Sequence, residues 1–203
     1  METEIIPADR QVLAECLFDR GCIGVGDPVL LSSGLRSRVY ANLRRLPSFP
    51  EDKTQVVGVL ADLVAPLEFD SIADVPTGAT TFVSSLCDRL RTPQITPRIN
   101  RKIHGLGAVI EGYYEVGEIV LLIDDVVTTG GSILRAAEIL ERAGLVIRDV
   151  ATIIDREQGG RETLAERGYT LHAAYTLKDL MDYYKQRCFI TPEEYGIAMA
   201  SLS

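Results

Sequence analysis

Glu118-Ile119-Val120-Leu121-Leu122-Ile123-Asp124-Asp125-Val126-Val127-Thr128-Thr129-Gly130-Gly131-Ser132 is the stretch from which the rest of the chain is read. The apolar run Ile119 to Ile123 is short and rich in β-branched residues, the pattern of a strand buried on both faces. It ends at paired acids. A turn of Thr, Gly and Ser follows, and then helical spacing from Ile133 to Arg142. Strand, turn and helix start together make an anion cradle. The N–H groups of Thr129 to Ser132 converge there, and the helix dipole favours negative charge. Glycines let the backbone approach a ligand closely. Such a bend suits a phosphate monoester, while the two carboxylates suit sugar hydroxyls or a Mg2+ ion held through water. No Lys follows the glycines, so this is not a Walker loop, and the glycine spacing is not that of a dinucleotide fold.

Composition narrows the function classes. The chain has 203 residues, enough for one α/β domain over 1–203, with an N-terminal hood over 1–45 and a core over 46–203. Its net charge is −8, from 29 acids against 21 Lys and Arg, which argues against a broad nucleic-acid surface. No apolar run approaches the roughly 20 residues of a membrane span. The start, Met-Glu-Thr-Glu, lacks the basic and apolar segments of a signal peptide, so a cytoplasmic location is expected. Cys16, Cys22, Cys87 and Cys188 have no metal-type spacing and read as reduced core or surface thiols.

Taken in order, Pro7 to Phe18 has helical spacing. Cys22 to Gly26 and Pro28 to Leu31 read as short extended pieces. Ser32-Ser33-Gly34 is a turn, and Ser37 to Leu43 the partner strand of a small hairpin. Pro50 to Leu67 opens as a helix should. Strand and helix then alternate. Strands are expected at 69–75, 94–98, 145–154 and 169–175, and helices at 81–91, 160–167, 177–186 and 191–200. Asn100 to Gly107 reads as a basic loop and Ala108 to Tyr114 as a short β-arm. Alternation implies a doubly wound, mostly parallel sheet with ligands at the carboxyl ends of its strands. The tips at Asp74-Val75-Pro76-Thr77, Asp124-Asp125 and Asp155-Arg156 should therefore meet at one crevice. His172 falls inside a strand and reads as structural.

The string Ile123-Asp124-Asp125-Val126-Val127-Thr128-Thr129-Gly130-Gly131-Ser132 resembles the phosphoribosyl-pyrophosphate (PRPP) signature of the type I phosphoribosyltransferases. Several further stretches resemble orotate phosphoribosyltransferase, including the form fused to a decarboxylase in animal UMP synthase. These are Leu31 to Tyr40 in the hairpin, Val75-Pro76-Thr77-Gly78-Ala79 in the pyrophosphate-side loop, and Asp155-Arg156-Glu157-Gln158-Gly159-Gly160. The last string is less common among other phosphoribosyltransferases and points to orotate rather than a purine. In the basic loop, the register starting at Arg98 places Lys102, His104 and Gly105 on the family pattern. A start at Arg101 loses the other three positions.

The resemblance implies a type I phosphoribosyltransferase fold and Mg2+-dependent transfer of phosphoribose from PRPP to orotate, giving orotidine 5′-phosphate and pyrophosphate. It implies that Val126 to Ser132, chiefly Thr128, Thr129, Gly130, Gly131 and Ser132, hold the 5′-phosphate beside Val127. Asp124 and Asp125 would hold the ribose hydroxyls and the metal shell. Lys102, with Arg98 and His104, would stabilise the leaving pyrophosphate, and Thr77 would line its loop. Arg156 would pair with the orotate carboxylate, Tyr40 would wall the pyrimidine, and Thr128 would reach its edge. Loop closure over a neighbouring site implies a homodimer, and a separate orotidine 5′-phosphate decarboxylase is a potential partner. Five positions depart from the family pattern: Ser32 and Ile99 stand where it has lysines, Asn100 where it has Glu, Arg38 where it has Pro, and Asp74 where it has Gly. The changes at Ser32, Ile99 and Asp74 fall where the family binds substrates, and each removes a cation or adds an anion near a pyrophosphate. These changes motivate two rival readings, a PRPP- or nucleotide-binding regulatory homologue with little turnover, and a transferase for another base.

Overall fold

The computed structural model describes residues 5–30, 36–99 and 109–202. In chain order the elements are α1 (Ala8–Asp19), β1 (Ile23–Leu30), β2 (Arg36–Ala41), a 3-10 helix (Leu43–Ser48), α2 (Pro50–Val64), β3 (Ser71–Asp74), α3 (Thr80–Leu90), β4 (Gln94–Pro97), β5 (Ile110–Glu111), β6 (Ile119–Val127), α4 (Gly131–Arg142), β7 (Val146–Asp155), α5 (Gly160–Ala165), β8 (Thr170–Thr176), α6 (Leu177–Gln186) and α7 (Pro192–Leu202). Six strands form one sheet in the order β5-β4-β3-β6-β7-β8. Neighbours are parallel except β4 and β5. This is the α/β architecture with a mostly parallel sheet that the alternating pattern predicts. A separate antiparallel hairpin, β1 with β2, forms the hood.

Sheet order fixes where a ligand belongs. The chain leaves β3 toward β4 on one side and leaves β6 toward β7 on the other. The crevice between the carboxyl ends of β3 and β6 is thus a topological switch point, where ligands of such sheets bind. Along β6, Leu121 and Ile123 pack on the face covered by α1, α2, α3 and α6. Val120 and Leu122 pack on the opposite face, against Ile133, Ala136 and Leu140 of α4 and Leu164 of α5. The alternation is that of a strand buried on both sides.

The central strand is longer than its apolar run predicts. It covers nine residues, Ile119–Val127, because Val126 and Val127 continue the ladder against Ile154 and Asp155 of β7. Asp124 and Asp125 therefore sit within the strand, not beyond its end, and successive side chains point to opposite faces. The two extended pieces expected before the hairpin turn are one strand, β1, with its irregularity between Val25 and Val29. The partner strand stops at Ala41, and Leu43, expected as the last residue of that strand, opens a 3-10 helix capped by the Asn42 side chain. The β-arm reduces to Ile110 and Glu111 among the described residues. Ser32-Ser33-Gly34 and the basic loop with Arg101, Lys102, His104 and Gly105 lie outside the described residues.

Candidate active site

Past the acids, the chain folds into a bend that lines a cavity of 230 Å3. Asp124, Val126 through Ser132, Ile133 and Arg135 form its wall. Gly130 caps α4 with φ at 79°, a left-handed conformation that glycine adopts without steric cost. The first N–H groups of α4 have no intrahelical acceptor by geometry, so they remain available to an anion. The bend is supported from behind. A Cβ on Gly160 would lie 2.6 Å from Val127 Cγ1 and 2.7 Å from the Thr128 carbonyl, so only glycine lets the β7–α5 connection back this turn. The Arg156 N–H donates to the Val127 carbonyl at 2.9 Å.

The acid pair is electrostatically strained. Asp124 is 8% exposed. Burial first, and then the charge of Asp125, holds its carboxyl well above the usual carboxylate range; the Asp125 N–H and the Arg44 cation pull the other way. That N–H donates to Asp124 Oδ1 at 2.9 Å. Hydroxyls or a cation placed here would relieve the charge. Among the described residues no group of three metal-ligating side chains occurs. The described residues thus build no cage of their own, and one or two carboxylates beside substrate phosphates are the usual protein share of a Mg2+ site.

Across the switch point, the loop after β3 carries Pro76 and Thr77, joined by a cis peptide bond. Together with Arg98, Ile99, Glu111, Ser132 and Arg135 they line a second cavity of 560 Å3. Arg98 Nε donates to Glu111 Oε1 at 2.6 Å, and Ile99 packs against the apolar core. Asp74, which the sequence placed as an added anion beside the pyrophosphate, is turned inward and fully buried. Its carboxylate accepts hydrogen bonds from the hydroxyls of Thr80 and Thr96 and from Gln94 Nε2 at 3.2 Å. It ties β3 to β4 and to the start of α3, so it serves the loop as a brace.

Arg156 and Tyr40 belong to the hood junction. Arg156 is 1% exposed. Its Nη2 donates to Ser37 Oγ at 3.0 Å and to the Val39 carbonyl at 2.9 Å, and its Nε to Gln158 Oε1 at 3.2 Å. Burial lowers its pKa from the ordinary arginine value. Asp155 pairs instead with Arg161 at 3.1 Å. The Tyr40 ring lies over Gly24 of the paired strand, where a Cβ would meet its hydroxyl at 2.5 Å. Neither Arg156 nor Tyr40 lines the two cavities described above. His172, in β8, meets Asp149 at 2.7 Å. The structure thus gathers Asp124, Val126 to Ser132, Thr77 and Arg98 around one crevice, with Asp125 at its edge against Gly78. Lys102 and His104 lie outside the described residues. Sequence reasoning missed Arg44 and Arg135, and it held Gly160 only as part of a family string, without its role behind the bend. The glycine pair Gly159-Gly160 was the one available signal, whereas an isolated Arg on a helix reads as a solvated charge.

The description of a phosphoribosyl transferase domain fits residues 65–167. Uridine 5′-monophosphate synthase from Bos taurus is 36% identical over 179 residues, 87% of this chain and 37% of that protein. Orotate phosphoribosyltransferase from Pyrococcus abyssi is 32% identical over 175 residues, 85% of this chain and 96% of that protein. The solved structure of UMP synthase from Leishmania donovani superposes with a TM-score of 0.87 at 32% identity, covering 95% of this chain and 42% of that one. The chain therefore spans less than half the length of the two synthases and nearly all of the archaeal enzyme.

Proposed function

Because the chain belongs to the orotate phosphoribosyltransferase family, we propose that it transfers phosphoribose from PRPP to orotate. The orotate ring nitrogen loses its proton to solvent and forms a bond to the anomeric carbon while the bond from that carbon to pyrophosphate oxygen breaks, giving orotidine 5′-phosphate and pyrophosphate. The observation that carries this reading is the juxtaposition of two carboxylates with an amide-lined cavity at the switch point of the sheet.

Each group has a physical task. Thr128 to Ser132 seat the 5′-phosphate through backbone donors. Asp124 and Asp125 hold the ribose hydroxyls, which donate hydrogen bonds to the crowded carboxylates and so ease their mutual repulsion. As positive charge develops on the ribose ring, the same carboxylates stabilise it from fixed positions. Pro76 and Thr77 wall the pyrophosphate side, with Arg98 beside them, and the basic loop adds Lys102 and His104 on the strength of the family pattern. Arg156 holds the hood hairpin over the base, leaving its role toward the orotate carboxylate to the remaining donor capacity of the guanidinium. Tyr40 and Thr128 border the pyrimidine. Bound through the substrate phosphates near Asp124 and Asp125, Mg2+ would neutralise the leaving pyrophosphate. The working unit is a homodimer in the cytoplasm, a compartment suited to the four free thiols. A separate orotidine 5′-phosphate decarboxylase consumes the product.

Loss of orotate absorbance on mixing protein, PRPP, Mg2+ and orotate tests the reaction. Consumption that requires both PRPP and the protein supports it. Consumption of uracil or a purine in place of orotate, or of no base, overturns it.

A further inference from the structure

Arg135 sits at the fourth residue after Gly131, within reach of the α4 N-terminus, and borders both cavities. Its Nη2 donates to Ser132 Oγ at 3.1 Å. Its Nη1 would stand 3.6 Å from a Cβ on Gly131. The guanidinium is thus folded back over the first turn of the helix. That is an unfavourable place for a cation, because the helix N-terminus is itself positive. Among the described residues Arg135 forms no ion pair, in contrast to Arg98, which Glu111 engages. Among the described residues it is also the one basic side chain in the wall of the 230 Å3 cavity, where the acid Asp124 is the other ionisable member.

We propose that Arg135 is a phosphate-binding residue that closes over the 5′-phosphate once that group is seated in the amide bend. This assignment rests on the transferase reading of the same bend. A phosphate dianion between the N–H groups and the guanidinium turns the repulsion between Arg135 and the helix dipole into a shared attraction. Arginine suits the task, since its planar fork can bond two phosphate oxygens while Ser132 steers one of its amines.

Calorimetry with ribose 5-phosphate and with pyrophosphate as separate probes, on the wild type, Arg135→Ala and Arg135→Lys, tests the assignment. The exposed position makes a folded variant the expected outcome, checked by an unchanged melting temperature. Ribose 5-phosphate affinity is expected to fall about tenfold in Arg135→Ala and to recover in part in Arg135→Lys, with pyrophosphate affinity held within about twofold. Equal affinity of wild type and Arg135→Ala for ribose 5-phosphate overturns the assignment alone, as does an equal loss for both probes. A wild type that binds neither ribose 5-phosphate nor PRPP overturns the transferase reading and this assignment with it.

Discussion

Gly78 and Asp125 stand so close that a Cβ on Gly78 would lie 2.4 Å from Asp125 Oδ1. The loop after β3 and the second acid of β6 therefore meet across the switch point, and the absence of a side chain at residue 78 sets where that carboxylate rests. Gly78→Ala is expected to displace the Asp125 carboxylate without unfolding the sheet. The Michaelis constant for PRPP should rise and kcat/KM fall by about tenfold, with little change in melting temperature. A variant within twofold of wild type would show that Asp125 tolerates displacement.

Asp124 makes stability depend on pH in a defined direction. In the unfolded chain its carboxyl ionises in the ordinary range; in the fold, burial and Asp125 hold its proton to higher pH. The folded form binds more protons between those limits, so this contribution is present below the unfolded value and is lost as pH rises through the window. Asp124→Asn keeps an acceptor for the Asp125 N–H and removes the charge. Urea denaturation at about pH 5 and about pH 8 should find the variant more stable at the higher pH and less sensitive to pH than wild type. Transfer activity should drop by at least about tenfold, because the ribose hydroxyls lose a charged acceptor.

Asp74 should behave as a structural residue. Removing its carboxylate leaves Thr80, Gln94 and Thr96 without their buried acceptor. Asp74→Ala is expected to cost about 2–4 kcal/mol in urea denaturation, and Asp74→Asn clearly less. A gain in PRPP affinity on neutralising Asp74 would restore the alternative, an anion repelling the pyrophosphate.

Arg156 should carry the docking of the hood. Its guanidinium bonds Ser37 and Val39 of β2 and Gln158, whose amide in turn reaches the Ser201 carbonyl of α7 at 3.5 Å. Arg156→Ala is expected to destabilise the protein by about 2–4 kcal/mol and to raise amide exchange in β1 and β2 above that in β6. Unchanged protection of the hairpin would separate Arg156 from its position.

Much of the architecture was legible because strand and helix periods differ and the chain alternates between them. The central strand was underread, since acids at 124 and 125 looked like an end; pairing with β7 carries the ladder on through Val126 and Val127. The phosphate bend was legible from Thr128 to Ser132, because its glycines and hydroxyls are a local requirement. What props the bend was not: Gly160 and the Arg156 N–H come from another strand, and only tertiary structure brings them there. The inward turn of Asp74 depends on Thr96, 22 residues away, and was equally invisible to local pattern.

The central claim is that a sugar phosphate sits on the amides of the bend after Asp124 and Asp125. Gly131 is the first helical residue of α4, and Gly131→Pro deletes one of those amides, with an unchanged melting temperature as the check that the turn at Gly130 persists. Titration calorimetry of PRPP with Mg2+ present should give clear heat with wild type and affinity about tenfold weaker with Gly131→Pro. Absence of heat with wild type, or equal affinity in the two proteins, would contradict it.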